Sequence, residues 1–311
     1  MFRSRRYRVD NEQVVLVFTV LLVLAVIIVS STVTFCASGI FILLMFFLSA
    51  MMTRSHHQSL LRDAVALNPV KMPKLAAEVE ECARKLQPGP VDVFIARKNQ
   101  MNAYTFGISD PKVLVIYSPM LQVMRSDELK FIIGHEMGHV ALGHTWLNTI
   151  LGGMAGIPAP FGATVLLYAA FRWWNRLCEF SSDRAGLLAC GDLNAAVSAM
   201  VKLVAPNVRS QVDFDKALAM IDAQDDNMSN RLAEVFQTHP MLIRRINKLR
   251  EYSQSREYQV MQAGVNQNLG KTYPRDTTPE PVYEAPEIHA EEPKETQKPP
   301  EERWPWLKPK E

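Results

Sequence analysis

Cysteine is scarce in this chain. There are four in 311 residues, Cys36, Cys82, Cys178 and Cys190, and no two of them show CxxC spacing. That pattern argues against a disulfide framework or a cysteine knuckle and reads as free thiols in a reducing compartment. An excess of one charge is also missing: 34 Lys and Arg face 32 Asp and Glu, for a formal net charge of +2. With no basic run on a groove-reading element, nucleic acid is not an expected partner. No internal repeat is evident. Charge is absent altogether from two stretches, residues 14–52 and 145–171.

The first charge-free stretch has 39 residues. As one helix it would reach roughly 58 Å at ~1.5 Å per residue, against a bilayer core of about 30 Å. Two spans near 14–30 and 35–52, turning at Ser30, Ser31 and Thr32, resolve the mismatch as a transmembrane hairpin. The run is too long for a cleaved signal peptide. Arg3, Arg5, Arg6 and Arg8 precede it and Arg54, Arg62, Lys71 and Lys74 follow, so both flanks favour the cytoplasmic side. The alternative, a single tilted span with an interfacial extension, would put the main domain on the other face.

The pattern divides the chain into a basic segment (1–13), the hairpin (14–52), a folded domain (53–260) and a tail (261–311). Pro73 suits a first helical position, with Leu75, Val79, Cys82 and Leu86 on one face, ended by Pro88, Gly89 and Pro90. Three short β-like runs follow, Val91 to Ala96, Met101 to Phe106 and Val113 to Tyr117, and predict a small sheet. Beyond Pro119 the pattern is helical to about Trp146, with Ser126 as a cap. The fold class is α+β, mainly helical. Residues 271–311 hold nine prolines, ten acidic, seven basic and only nine apolar residues. Such a segment cannot bury enough surface to offset its ordering entropy and is expected to be disordered. Its Trp304 and Trp306 offer a docking peptide for a protein partner.

The chemistry concentrates in FIIGHEMGHVALGH, which holds His135, Glu136 and His139. Residues four apart share one face of a helix, so both imidazoles can hold one metal ion while Glu136 projects beside them toward a water. Chance would give His-acid-x-x-His about 0.02 times in a chain of this composition, which argues against accident. Gly134 and Gly138 each cost a helix interior about 1 kcal/mol relative to Ala, and close packing at the site would explain them. Catalytic zinc takes three protein ligands and keeps a fourth position open. His144 lies near, but one residue short of the spacing that closes a three-histidine site. Glu179 in CEFSSDRAG is the better candidate, because Asp183 falls on the same helical face and can bond the free nitrogen of a ligand histidine.

SDELKFIIGHEMGHVALGH, EFSSDRAG and THPMLIRRINKL together resemble the HtpX-like membrane zinc metallopeptidases. This family is related to the CAAX prenyl proteases and the mitochondrial inner-membrane stress proteases. The resemblance covers roughly residues 95–250 and implies a zincin-like domain. It makes His135, His139 and Glu179 ligands of one Zn2+, Glu136 the base and Asp183 the group that orients a ligand histidine. It also implies oxyanion stabilisation by His239 and Arg245, and a substrate strand running beside Asn102, Ala103 and Tyr104, where the plain reading is a strand and turn. Relatives often carry two spans where this chain has 145–171, but 27 residues are too few for two. A broken hairpin on or in the bilayer, or buried in the domain, is expected.

The function expected is that of a membrane-anchored zinc endopeptidase acting on membrane or membrane-proximal proteins, misfolded ones included, in a protein quality-control role. Its partners would be a protein or peptide substrate and membrane lipid. The setting expected is a multi-pass protein of a membrane such as the bacterial inner membrane, with its catalytic domain on the cytoplasmic side. Two alternatives stand beside it: a non-catalytic scaffold or chaperone-like subunit that retains zinc, and a latent protease released by processing or a partner.

Overall fold

The computed structural model describes residues 7–33, 37–151, 162–204 and 242–268. Two helices, α1 (Glu12–Val33) and α2 (Ala37–Arg62), occupy the first charge-free stretch. The turn expected at Ser30, Ser31 and Thr32 is instead the last turn of α1, since nothing in this apolar run breaks the helix before Val33. Among the described residues, no helix is long and apolar enough to cross a membrane. Val14, Val17, Phe18, Leu21, Leu24 and Ile28 of α1 are nevertheless exposed.

After α2 comes a four-stranded sheet of β1 (Ala64–Ala66), β2 (Val91–Ala96), β3 (Ala103–Phe106) and β4 (Lys112–Tyr117), in the order β1-β2-β4-β3. Strands β2 and β4 are parallel, with Val93 opposite Leu114, while β1 and β3 are antiparallel to their neighbours. Leu114, Val115 and Ile116 of β4 are fully buried, so its apolar run covers both faces of the sheet. Helix α3 (Pro73–Leu86) begins at its proline and ends with Gln87 in the left-handed region (φ 51°). Strand β1 has too few residues to give an alternating signal, and the sequence pattern missed it.

Short helix α4 (Ser118–Val123) leads into α5 (Ser126–Leu142), the helix carrying the His-Glu-x-x-His motif. Its N-cap is Arg125 and not Ser126. Glu128 reaches back to accept the Arg125 N–H at 2.7 Å, and the Ser126 hydroxyl turns to Glu78. The helix expected to reach Trp146 stops at Gly143, whose φ of 78° is free of Cβ cost. A new helix, α6 (His144–Leu151), starts at once. Then come α7 (Gly162–Cys190), α8 (Leu193–Val204), α9 (Leu242–Ser253) and α10 (Arg256–Asn268). The start of the tail assigned at 261 therefore falls inside α10, whose Met261 and Val265 are buried in the main core. Of the apolar stretch 145–171, its ends lie in α6 and α7 and its middle lies outside the described residues.

Helices α5 and α7 meet along small residues. A Cβ on Gly138 would lie 2.6 Å from the Ala185 Cβ, and one on Gly186 would lie 2.7 Å from the Phe131 carbonyl oxygen. Gly134 abuts Ala189 in the same seam. The close packing expected of Gly134 and Gly138 is thus present, and it brings the polar side chains of the two helices within reach of one another.

Candidate metal centre

Helix α5 presents His135 and His139 one turn apart, with Glu136 between them, and α7 presents Glu179 and, one turn on, Asp183. All five are buried. The Nε2 atoms of the two histidines are 3.2 Å apart. Glu179 lies 3.6 Å from His135 Nε2 through Oε2 and 3.5 Å from His139 Nε2 through Oε1. One donor atom from each of these residues falls within 4.8 Å of the others.

The far sides of both rings are engaged. His135 Nδ1 is 3.0 Å from Asp183 Oδ1. A carboxylate can only accept, so this nitrogen carries the proton and His135 Nε2 is left with its lone pair. His139 Nδ1 is 3.1 Å from His144 Nδ1, and the His144 Nε2 donates to Glu12 Oε1 at 2.9 Å. That bond leaves His144 Nδ1 as an acceptor, so His139 also carries its proton on Nδ1 and turns a lone pair toward His135. Two lone pairs and a carboxylate aimed at one point repel unless a cation sits among them. This donor set fits a divalent metal ion.

The electrostatics agree. Burial works to raise the Glu179 and Asp183 carboxyls, but the Arg245 guanidinium and the bonds and charges of the ligand histidines together hold both below the usual carboxylate range, Glu179 well below. Burial works to lower His139, and its bond with Glu179 and the charges of Glu179 and Glu136 raise it instead, as expected where positive charge is favoured. Glu136 is the exception, its carboxyl raised by burial. It accepts a hydrogen bond from Thr105 Oγ1 at 3.2 Å, which ties it to edge strand β3. Burial pushes His144 down to about 4, so it is neutral near neutral pH.

The residues match positions 69–253 to the model for peptidase family M48, more than half of the chain. The chain belongs to peptidase family M48. It is 30% identical over 194 residues to the plastoglobule-localized metallopeptidase 48 of Arabidopsis thaliana, covering 57% of this chain and 56% of the plant protein. It is 26% identical over 215 residues to protease HtpX of Acinetobacter baumannii, covering 57% of this chain and 70% of that protein. A protease HtpX homolog of Thermococcus kodakarensis is 26% identical over 230 residues, covering 62% and 78%. The M48 chain thus spans little more than half the length of its plant relative.

The structure brings together His135, Glu136, His139, Glu179, Asp183 and Arg245. Arg245 faces the two carboxylates of α7: its Nε and Nη2 bond Asp183 and its Nη1 lies 3.1 Å from Glu179. His239 lies outside the described residues. Asn102 is exposed, and its carbonyl accepts the Tyr117 N–H at 2.9 Å. Ala103 and Tyr104 open β3, and Tyr104 packs against Phe106 and Tyr117. Three contributors in this M48 site were not legible as such: Thr105, Gly186 and Glu12. Alternation along β3 places Thr105 opposite in face to Tyr104, but nothing local says which face meets Glu136.

Proposed function

We propose that this chain is a membrane-anchored zinc endopeptidase, with zinc held by His135, His139 and Glu179. The observation that carries the reading is the convergence of two bare Nε2 atoms and a carboxylate, with Glu136 beside them. When bound, zinc would lower the pKa of a water and polarise the scissile carbonyl. Glu136, held by Thr105, takes the proton from the attacking water and delivers it to the leaving amine. Burial raises its carboxyl, and that improves its strength as a base near neutral pH. Asp183 holds His135 in the tautomer that offers Nε2, and Arg245 neutralises Asp183 and Glu179 from behind.

An extended peptide would lie along Ala103–Phe106, because β3 is an edge of the described sheet and stands next to Glu136. Beside it, a cavity of about 370 Å³ lined by Met52, His56, Tyr104, Phe106 and Asn148 offers room for an apolar side chain. Anchoring at α1 and α2 follows from the charge-free sequence, from its flanking arginines and from the exposed apolar band of α1. It would bring the site to the cytoplasmic surface of a membrane, where membrane or membrane-proximal proteins are the substrates at hand.

The test compares wild type with Glu136→Gln, purified in one detergent, for zinc content and for cleavage of an unfolded membrane protein. About one zinc in both proteins, with cleavage by wild type alone, is the expected result. Zinc in wild type without cleavage would favour a zinc-retaining scaffold, and no zinc in wild type would end the metal reading.

A further inference from the structure

Glu12 is a carboxylate with no solvent exposure at the head of an apolar helix, far in sequence from the motif it adjoins. An isolated buried carboxylate is costly, so its partners matter. His144 Nε2–H donates to Oε1, the Ser181 hydroxyl donates to Oε2, and the Arg8 guanidinium pairs with Oε1. The segment is fastened on every side. Arg8 Nη2 donates to the Leu142 carbonyl at 2.6 Å, at the open C-terminal end of the motif helix, and the Val9 N–H donates to Ser181 Oγ at 2.9 Å. Tyr7 is fully buried in the main core. Trp174 of α7 packs edge-on against the His144 ring at 6.1 Å.

We propose, resting on the metal reading above, that Glu12 and His144 are positioning residues for the metal ligand His139. The head of α1 thereby completes the metal centre. Each ligand histidine then has its own carboxylate behind it: Asp183 directly for His135, and Glu12 for His139 through one intervening imidazole. The relay works by hydrogen-bond polarity. Glu12 can only accept, which places the His144 proton on Nε2; His144 Nδ1 then can only accept, which places the His139 proton on Nδ1 and bares Nε2 for the metal. Partners of this kind typically change metal affinity 10–100-fold when lost. Glu12, His144 and Cys178 also offer three donor atoms within 4.8 Å of one another. A second metal there would have to displace Arg8, Ser181 and His139 from bonds they already make.

The experiment is a zinc titration against a chromogenic chelator on the full chain in detergent, with thermal unfolding of the zinc-free proteins as control. His144→Leu removes the acceptor and is expected to weaken zinc binding by about 10-fold or more. His144→Gln supplies an amide oxygen for His139 Nδ1–H and should recover most of the loss. Glu12→Leu removes the acceptor that fixes the His144 tautomer and should weaken binding in the same direction. Affinities of His144→Leu and Glu12→Leu within twofold of wild type would overturn the relay, as would a His144→Gln variant no better than His144→Leu. If His144→Leu does not fold, Glu12→Leu decides alone. Two zinc ions per wild-type chain, one of them lost in Cys178→Ala, would replace the relay by a second metal site. A wild type that binds no zinc fails at the earlier reading and takes this one with it.

Discussion

Arg245 grips Asp183 with two hydrogen bonds, Nε to Oδ2 at 2.8 Å and Nη2 to Oδ1 at 2.6 Å. The fork uses the planar geometry that only arginine offers a carboxylate. It also joins α9 to α7, because Arg245 sits on the first turns of one helix and Asp183 deep in the other. The guanidinium is raised above its ordinary range, since Asp183 and Glu179 outweigh the burial that would lower it. Two buried carboxylates and a part-buried guanidinium thus depend on one another.

Replacing Arg245 by Leu leaves two buried carboxylates without their cation. Breaking a buried ion pair from one side costs about 3 kcal/mol or more. Bound zinc brings positive charge to Glu179, so the loss should be larger without zinc than with it. The midpoint of thermal unfolding, measured with and without the metal, should therefore show a wider gap in Arg245→Leu than in wild type. An equal drop in both forms would mean that Arg245 matters only to packing between α9 and α7.

The seam between α5 and α7 sets a second expectation. Gly138→Ala would place a methyl group 2.6 Å from the Ala185 Cβ and 3.2 Å from the Ser182 Cα, with backbone on one side and no flexible side chain to yield. Overpacking of this kind costs about 1 to 3 kcal/mol. Here it would also force apart the helices that bring His139 and Glu179 together. Zinc affinity should fall along with stability, whereas Gly143→Ala, where a Cβ meets nothing within 4 Å, should cost stability through its positive φ alone. Unchanged zinc affinity in Gly138→Ala would show that the seam tolerates a shift without disturbing the ligands.

Much of this centre was legible because its parts are local. The two histidines and Glu136 share one helix, Glu179 and Asp183 share another, and a period of 3.6 puts each set on a face without tertiary knowledge. Helix α3 and strands β2, β3 and β4 announced themselves by proline, by turn residues and by apolar runs. What escaped depends on distance. Glu12 precedes His144 by 132 positions, and a glutamate ahead of an apolar run looks like a solvated helix start until the fold buries it. Arg245 carried a family role, but its direction is set by two carboxylates on another helix. Gly143 ends α5 through a left-handed backbone that a helical pattern continuing to Trp146 concealed.

Glu128 provides a pH-dependent expectation away from the metal. It is fully buried in the first turn of α5, and it accepts from Lys202 Nζ at 2.8 Å, from Ser198 Oγ at 2.6 Å and from the Arg125 N–H. Burial works to raise its carboxyl, but Lys202, Ser198 and Arg125 together hold it below the ordinary value. A carboxyl depressed in the folded state contributes stability that is fully present above its unfolded value of about 4.3. That contribution is lost as pH falls through the folded value. Wild type should lose stability in denaturant titrations as pH drops below about 5, and Glu128→Gln should show a shallower decline over the same window. Glu128→Ala should cost about 3 kcal/mol at neutral pH by stranding Lys202. Parallel pH curves for wild type and Glu128→Gln would remove Glu128 from the account.

The exposed side of α1 gives the last expectation. Val14, Val17, Phe18, Leu21, Leu24 and Ile28 stand open at the surface, Val14 at 65% and Ile28 at 62% exposure, while Val15 and Thr19 turn inward and are buried. Val15 packs with Trp174 and Cys178 of α7, so one stripe of the helix is used by the domain. The exposed side from Val14 to Val29 is apolar, a composition suited to hydrocarbon. If lipid covers it, the full chain should sediment with membranes and resist extraction by high salt and alkaline carbonate, which strip proteins held by charge alone. Changing Val17, Leu21, Leu24 and Ile28 to serine should release a fraction of the protein, or cause it to aggregate less when detergent is diluted. The inward stripe is untouched by these changes, so the melting transition of the domain should stay where it is. Complete extraction of wild type by carbonate would mean that this face meets protein and not lipid.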